Sequence, residues 1–512
     1  MFSSVNSAFV LGIEGVMIQV ETDVSDGLPV FEMVGFLASE TKESKERVRT
    51  ALKNSGYKIP PKRIVVNLSP ADMRKGGTGF DLPIAISILC SLGIIPTDKL
   101  EDTLIIGELS LDGTVKEVNG IFPVLCAAQE AGITKCIIPS GNGKEGSYVR
   151  KMDVYTAADL SQVIDFLTGT GSLEREEWKF KQWKPRERSI YTEDFSDICG
   201  QKVLKRGLEV AVSGMHNLLM VGPPGSGKTM LAKRIPTIMP NLSFEESVEL
   251  SKIYSVSGLL DRNEGVVQCR PFRSPHHTAS GKTLAGGGRF PQPGEISLAH
   301  LGVLFLDEIT EFGRDALEVL RQPMEEGKII LNRVYGNYVF PADCMVVGAM
   351  NPCSCGYYPD RKKCTCTPVQ VHNYLKKVSR PLLDRMDLCI EAAELSYEHL
   401  CIKKRGEPSA KIQKRVEQTI AIQRERYRTE KIFYNSQLTV GLMDKFCVLG
   451  RKEKRIMKES FSRLGLSARG YHKIIKVART IADMESSDSI REEHLREACY
   501  YRLLDQKYWM GE

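Results

Sequence analysis

Eight residues constrain this chain more than any other stretch: Gly222, Pro223, Pro224, Gly225, Ser226, Gly227, Lys228 and Thr229. They fit the pattern G-x-x-x-x-G-K-[ST]. They lie between an apolar run at 216–221, which reads as a buried strand, and residues 230–235, which continue as a helix. In that order, glycines let backbone N–H groups wrap phosphate oxygens, and the helix N-terminus adds positive potential. Lys228 is then placed to reach the β- and γ-phosphates of ATP, and the Thr229 hydroxyl to bind Mg²⁺. An ordinary glycine turn needs neither the strand before it nor the helix after it.

A second apolar run, 302–306, ends in Asp307 and Glu308. Apolar residues leading into two acids describe a buried central strand that delivers both carboxylates at its C-terminal end. Alone, the pattern suits any strand entering a polar turn; downstream of a complete phosphate loop it supplies the other half of the site. Asp307 is expected to hold Mg²⁺ through water, and Glu308 to polarise the attacking water. A third strand, 344–350, ends at Asn351, which either orients the same water or forms a turn. Residues 380–387 carry Arg380 and Arg385, for which the site has no local need. An arginine there would reach the γ-phosphate of a neighbouring subunit; a surface salt bridge to Asp384 or Asp387 accounts for it equally well.

Just past Asn351 stand Cys353 and Cys355, and after eight more residues Cys364 and Cys366. Two C-x-C pairs across a short loop offer four thiolates to one tetrahedral zinc, at a spacing tighter than the common C-x₂-C knuckle. Four reduced thiols in a loop are the alternative. Four thiolates leave no open position, so a catalytic metal is not expected.

At 512 residues the chain is too long for one core. Residues 1–168 alternate strand-like and helix-like stretches, with strands expected at 64–68 and 135–139 and helices at 41–55 and 124–132. Residues 169–189 read as a polar linker whose Trp178 and Trp183 pack against a neighbour. Residues 190–394 hold the chemistry, and 395–512 read as a mostly helical lid, with long helices at 411–429 and 467–484. Net charge is +6, but from Cys401 to Glu512 there are 25 Lys and Arg against 15 Asp and Glu. A basic block can meet phosphates; it also suits a solvated helical face. No secretory signal is visible, and the most apolar uncharged run, 82–97, is too short to span a bilayer. The expectation is a cytoplasmic protein without membrane contact, whose 14 cysteines are thiols or metal ligands rather than disulfides.

With these motifs in place, the sequence resembles the YifB/ComM group of magnesium-chelatase-like AAA+ ATPases over essentially its whole length. The likeness rests on 222–229, on Arg270-Pro-Phe-Arg-Ser-Pro-His-His-Thr278, and on 294–300 running into Asp307 and Glu308. It continues through 349–356, 381–387 and Leu466-Ser-Ala-Arg-Gly470. The resemblance implies a P-loop AAA+ parallel-sheet core with Asn351 as first sensor, Arg385 as trans-acting arginine finger and Arg469 as second sensor touching ATP from the lid. Arg380 is the fallback finger. It implies an insertion at 270–300 and a hairpin at 327–340, elements that face the central pore in related ring motors. ComM members are hexameric helicases that promote branch migration during uptake of transforming DNA.

The first segment resembles the proteolytic domain of Lon through 107–113 and 127–133. Lon-type cleavage needs a serine nucleophile and a lysine base. Phe122 stands where the lysine would be, and 74–82 offers only Thr78 near the serine's place. The resemblance thus implies a retained α/β fold without proteolysis, serving assembly or DNA handling.

The function expected is a homo-oligomeric, hexameric ATP-driven DNA translocase or helicase of branch-migration type, acting in recombination or DNA uptake without sequence specificity. The alternative is a remodeller of a protein complex, as in magnesium chelatase. An ATP-dependent protease is disfavoured by Phe122.

Overall fold

A computed structural model of the chain describes residues 1–179, 183–184, 192–334, 336–394 and 406–509. The N-terminal strands Phe2–Leu11 and Glu14–Ser25 form an antiparallel hairpin at the middle of an eight-stranded mixed sheet. Across the sheet the order is Glu174–Arg175, Asp153–Ala157, Lys135–Pro139, Thr103–Ile105, Phe2–Leu11, Glu14–Ser25, Arg63–Ser69 and Val30–Val34. Helices Ser39–Asn54 and Ile121–Glu130 cover it, the second beginning three residues before the expected start at 124.

The apolar run at 82–97 becomes the helix Asp81–Ser91, in which every residue is buried. A helix apolar all round belongs inside a core. Its few polar groups find partners there. Ser3 donates to the Ser87 carbonyl at 2.7 Å, the Ser91 hydroxyl donates to the Thr22 carbonyl at 3.0 Å, and Asp81 takes Arg47 Nε at 2.6 Å.

The stretch expected as linker is not all loop. Glu174–Arg175 pairs with Thr156 and Tyr155 as an edge strand of the first sheet, and Trp183 sits edge-on to Phe244 at 5.6 Å. Residues 180–182 and 185–189 of that stretch, and the junctions expected at 190 and 395, lie outside the described residues.

The second sheet is parallel throughout, in the order Phe272–Arg273, Val303–Leu306, Met345–Met350, Leu218–Val221, Leu388–Glu391. Its three central strands are buried on both faces, so they read as unbroken apolar runs. Leu218, Met220, Val303 and Phe305 point into one core with the C-terminal helices; Leu219, Val221, Leu304 and Leu306 point into another with the four-cysteine loop. The strand before the phosphate loop starts at Leu218 because the two residues ahead of it are otherwise engaged. The His216 N–H returns to the Ala211 carbonyl at 2.8 Å, and the Asn217 N–H goes to the Asp387 carboxylate at 2.8 Å.

Helices Ser409–Arg426, Ala468–Met484 and Glu492–Tyr500 pack onto the first of these cores. Buried His216 meets Thr480 at 2.8 Å, and Lys473 meets Asp387 at 2.9 Å, so the helical region is bonded to the root of the phosphate-loop strand. The N-terminal region docks through helix Ile121–Glu130 against helix Phe244–Val256, with the Gly120 N–H donating to the Ser255 carbonyl at 3.1 Å. Among the described residues, no helix is long and apolar enough to cross a membrane.

Candidate nucleotide-binding site

Three neighbouring parallel strands end together, and each delivers part of one cleft of about 590 Å³. Leu218–Val221 leads into the phosphate loop, where Gly227 adopts φ 84°, a left-handed conformation that a side chain would resist, and starts helix Lys228–Arg234. Lys228 folds back over the loop. Its ammonium donates to the carbonyls of Gly222 at 2.8 Å and Pro223 at 2.9 Å, to Ser226 Oγ at 3.3 Å and to Asn351 Oδ1 at 3.3 Å. Burial pulls its pKa down to about 8, although Asp307 and Glu308 oppose the shift. A partly desolvated ammonium resting on backbone carbonyls is held ready for a stronger anionic partner.

Val303–Leu306 delivers Asp307 and Glu308. The Thr229 hydroxyl donates to Asp307 Oδ2 at 2.8 Å, and Asp307 Oδ1 accepts the Glu308 N–H at 3.0 Å. A hydroxyl and a carboxylate in contact are a hard-oxygen pair of the kind Mg²⁺ takes together with phosphate. Glu308 has φ 49°, a conformation that costs a non-glycine residue on the order of 1 kcal/mol and turns its carboxylate toward the cleft. Met345–Met350 ends at Asn351. The structure thus brings together Pro224, Gly225, Lys228, Thr229, Asp307, Glu308 and Asn351 on one cleft.

It does not bring the two other arginines there. Neither Arg385 nor Arg469 lines that cleft; both meet Glu325 instead, at 2.7 and 3.0 Å. Arg385 is nearly buried, whereas Arg380 is exposed at the start of the short helix Arg380–Leu383.

The four cysteines converge. All four Sγ atoms lie within 4.8 Å of one another, with Cys353 3.3 Å from Cys355 and 3.8 Å from Cys364, and Cys355 3.5 Å from Cys364. Zinc–sulfur bonds of about 2.3 Å in a tetrahedron put sulfurs roughly 3.8 Å apart, so the donor set fits. The loop also touches the phosphate loop. Ser354 lines the cleft, and a Cβ on Gly356 would lie 2.5 Å from Pro224 Cδ.

Comparison with known proteins supplies the family. Residues 194–400 match the family described as magnesium chelatase, subunit ChlI, residues 406–502 match its C-terminal part, and residues 20–142 match subunit ChlI of Mg-chelatase. The protein YifB of Salmonella typhimurium is 40% identical over 506 residues, covering 98% of this chain and 97% of its own. The competence protein ComM of Haemophilus influenzae is 40% identical over 496 residues, covering 96% of each. The chain belongs to the YifB/ComM magnesium-chelatase-like family. This AAA+ family supports nucleotide binding. Its likeness to magnesium chelatase proper is more distant: the 67 kDa subunit of Chlorobaculum tepidum is 30% identical over 160 residues, 31% of this chain and 23% of that one.

Four participants escaped sequence reasoning. Gln201, at φ 51° before helix Lys202–Gly214, donates to the carbonyls of Ser226 at 3.0 Å and Ala393 at 2.7 Å, tying the phosphate loop to the far edge of the sheet. Lys377 adds a cation at the cleft, paired with Glu311 at 3.2 Å. His277 approaches Glu308 at 4.0 Å. Glu325 receives both distal arginines. Only His277 belongs to a quoted motif, 270–278; the roles of all four are defined by where folding puts them.

Proposed function

We propose that this protein is a ring-forming, ATP-hydrolysing motor that translocates on DNA, of the branch-migration type. The observation that carries the catalytic half is the convergence of Lys228, Thr229, Asp307, Glu308 and Asn351 on one cleft. In this reading Lys228 exchanges its carbonyl partners for the β- and γ-phosphates, and Thr229 and Asp307 hold Mg²⁺, which neutralises phosphate charge. Glu308 polarises the attacking water and Asn351 orients it. Arg385, with Arg380 as second candidate, completes the site of a neighbouring subunit, and Arg469 acts from the helical region. Placement of Arg385 and Arg469 away from the cleft of their own chain favours action on a neighbour's nucleotide and hence an oligomer, a hexamer by the family resemblance. The four cysteines hold one structural zinc that stiffens the loop beside Pro224.

The DNA half rests on the ComM relative's designation as a competence protein and on the hairpin formed by Lys328–Arg333 and Gly336–Pro341. Arg333 and Val334 are exposed at its tip. The N-terminal region touches this apparatus directly. A Cβ on Gly76 would lie 2.8 Å from the Phe290 ring, and Arg74 stacks over the same ring at 5.1 Å. At the base of the hairpin, Ile13 shares a core with Tyr338 and Phe340. These contacts support a DNA-handling role for a domain that keeps the Lon-like fold without its chemistry. Phe122 is buried there, and the Thr78 hydroxyl is tied to the Glu108 carboxylate.

The test is ATP turnover with and without single-stranded, forked and four-way-junction oligonucleotides at two salt concentrations. Stimulation by forks or junctions that weakens with salt supports the motor reading. Stimulation by none of them rejects it in favour of a remodeller driven by a protein partner.

A further inference from the structure

The two arginines proposed to work across a subunit boundary are tied down by a single oxygen atom. Glu325 Oε1 lies 2.7 Å from Arg385 Nη2 and 3.0 Å from Arg469 Nη2. Arg385 also donates from Nη1 to the Pro381 carbonyl at 2.7 Å, keeps only 11% of its side chain exposed, and leaves Nε buried without a partner among the described residues. A guanidinium folded onto its own subunit in this way does not reach a neighbour's phosphate. To do so it must exchange the Glu325 carboxylate for phosphoryl oxygens, a swap of one charge-assisted acceptor for another.

The position of Glu325 indicates what would drive the exchange. It is the next-to-last residue of helix Arg321–Glu326, and Gly327 then turns directly into the hairpin. The Gly327 N–H donates to the Pro323 carbonyl at 2.9 Å, and its carbonyl accepts the Ala342 N–H at 2.8 Å, so helix end and hairpin base are one bonded unit. Val334 at the hairpin tip is 92% exposed. Glu326, one residue further on, pairs with Gln322 at 3.3 Å.

We propose that Glu325 is a positioning residue that holds Arg385 and Arg469 withdrawn, and that load on the hairpin moves it and presents both arginines to the nucleotide of the adjacent subunit. The proposal rests on the reading of Arg385 as a trans-acting arginine. It adds a route by which DNA in the pore of one subunit controls hydrolysis in the next.

Mixed rings test it. A chain carrying Glu325→Gln together with Lys228→Ala can lend arginines but hydrolyses nothing itself. Mixed with wild-type chain, it should raise DNA-free kcat at least about fivefold over a wild-type mixture with Lys228→Ala alone, the lower end of ordinary coupling. KM for ATP should stay unchanged, and a forked duplex should add less further stimulation. Glu326→Gln in the same background should match the control. Equal or lower DNA-free turnover overturns the latch. Should the Glu325→Gln chain fail to join rings, Glu325→Asp in the same background decides by the same criterion, since it withdraws the carboxylate by roughly one bond length of about 1.5 Å. A third mixture separates the two ideas. If adding Arg385→Ala to the Lys228→Ala chain leaves turnover at the control level, the trans reading itself fails. If that mixture loses turnover while the Glu325→Gln mixture stays at the control level, the trans reading stands and the latch alone is overturned.

Discussion

In the core sheet, the C-terminal ends of Leu218–Val221, Val303–Leu306 and Met345–Met350 open onto a cleft of about 590 Å³ in which charged and polar side chains face one another. In the N-terminal sheet, the region that the Lon resemblance marks for chemistry is filled. Phe122 is 1% exposed, its N–H donates to Glu145 at 2.9 Å, and Glu145 in turn binds Ser255 of the core. Burial holds the Glu145 carboxyl above its ordinary range, as suits a group serving as a structural hydrogen-bond partner. Two α/β sheets of one chain thus differ in whether the space at their functional edge is left open or packed. A shared α/β architecture therefore does not by itself imply a shared activity.

The sharpest way to break the contrast is at Lys228. Lys228→Ala should abolish ATP turnover, by at least about a thousandfold, while leaving the thermal midpoint within a few degrees, because the ammonium rests on carbonyls that water can satisfy. Glu308→Gln should still bind ATP, measured with a fluorescent nucleotide, and hydrolyse it slowly. Near-normal turnover in both would remove the catalytic assignment.

Arg385→Ala should bind ATP normally and lose on the order of a thousandfold in kcat. Mixing it with Lys228→Ala should recover part of the activity, since some interfaces then pair an intact loop with an intact arginine. Full turnover by Arg385→Ala in rings of normal size would pass the role to Arg380, tested in parallel.

Metal content comes next. Protein purified without chelators should carry about one zinc per chain by elemental analysis, lost in the double variant Cys353→Ser, Cys364→Ser. Because Ser354 lines the cleft and Gly356 packs on Pro224, that variant should also turn over ATP more slowly.

Phe122→Ala tests the filled side. It should cost about 3–5 kcal/mol of stability in chemical denaturation and leave ATP binding unchanged, the mirror image of Lys228→Ala. Casein should stay intact with wild type and variant alike.

The smallest effect concerns pH. Burial pulls the His216 pKa down to about 4 from an ordinary 6.5. The unfolded chain therefore takes up a proton first as pH falls below 6.5. The stability that neutral His216 contributes is present above that pH and lost progressively toward pH 4, reaching about 2 kcal/mol at pH 5. Wild type should lose that much more stability between pH 7 and pH 5 than His216→Gln does.

Legibility in the sequence followed the same division. The phosphate loop, the acidic strand end and Asn351 could be read because each sits at the end of an apolar run short enough to be a strand, so local order along the chain implied the geometry. The helix at 81–91 was legible only as an apolar run, because nothing in it distinguishes a buried helix from other buried segments until its serines are seen bonded to Ser3 and Thr22. The edge strand Glu174–Arg175 was hidden in a polar stretch, since an edge strand with exposed side chains carries no hydrophobic period.

By itself, the sequence determined the phosphate-loop pattern, the two carboxylates downstream of it, the four-cysteine spacing and the family, because each depends on residue types at fixed short spacing. Only the tertiary structure decided that Gln201 anchors the loop, that Lys377 enters the cleft, that the N-terminal region grips Phe290, and that Arg385 and Arg469 converge on Glu325 rather than on the cleft of their own chain. Those contacts join residues from 25 positions apart, Gln201 to Ser226, to 216, Arg74 to Phe290, with Lys377 66 positions from Glu311 and Arg469 144 from Glu325. Pairing at such distances is set by how sheets and helices pack, and no local pattern records it.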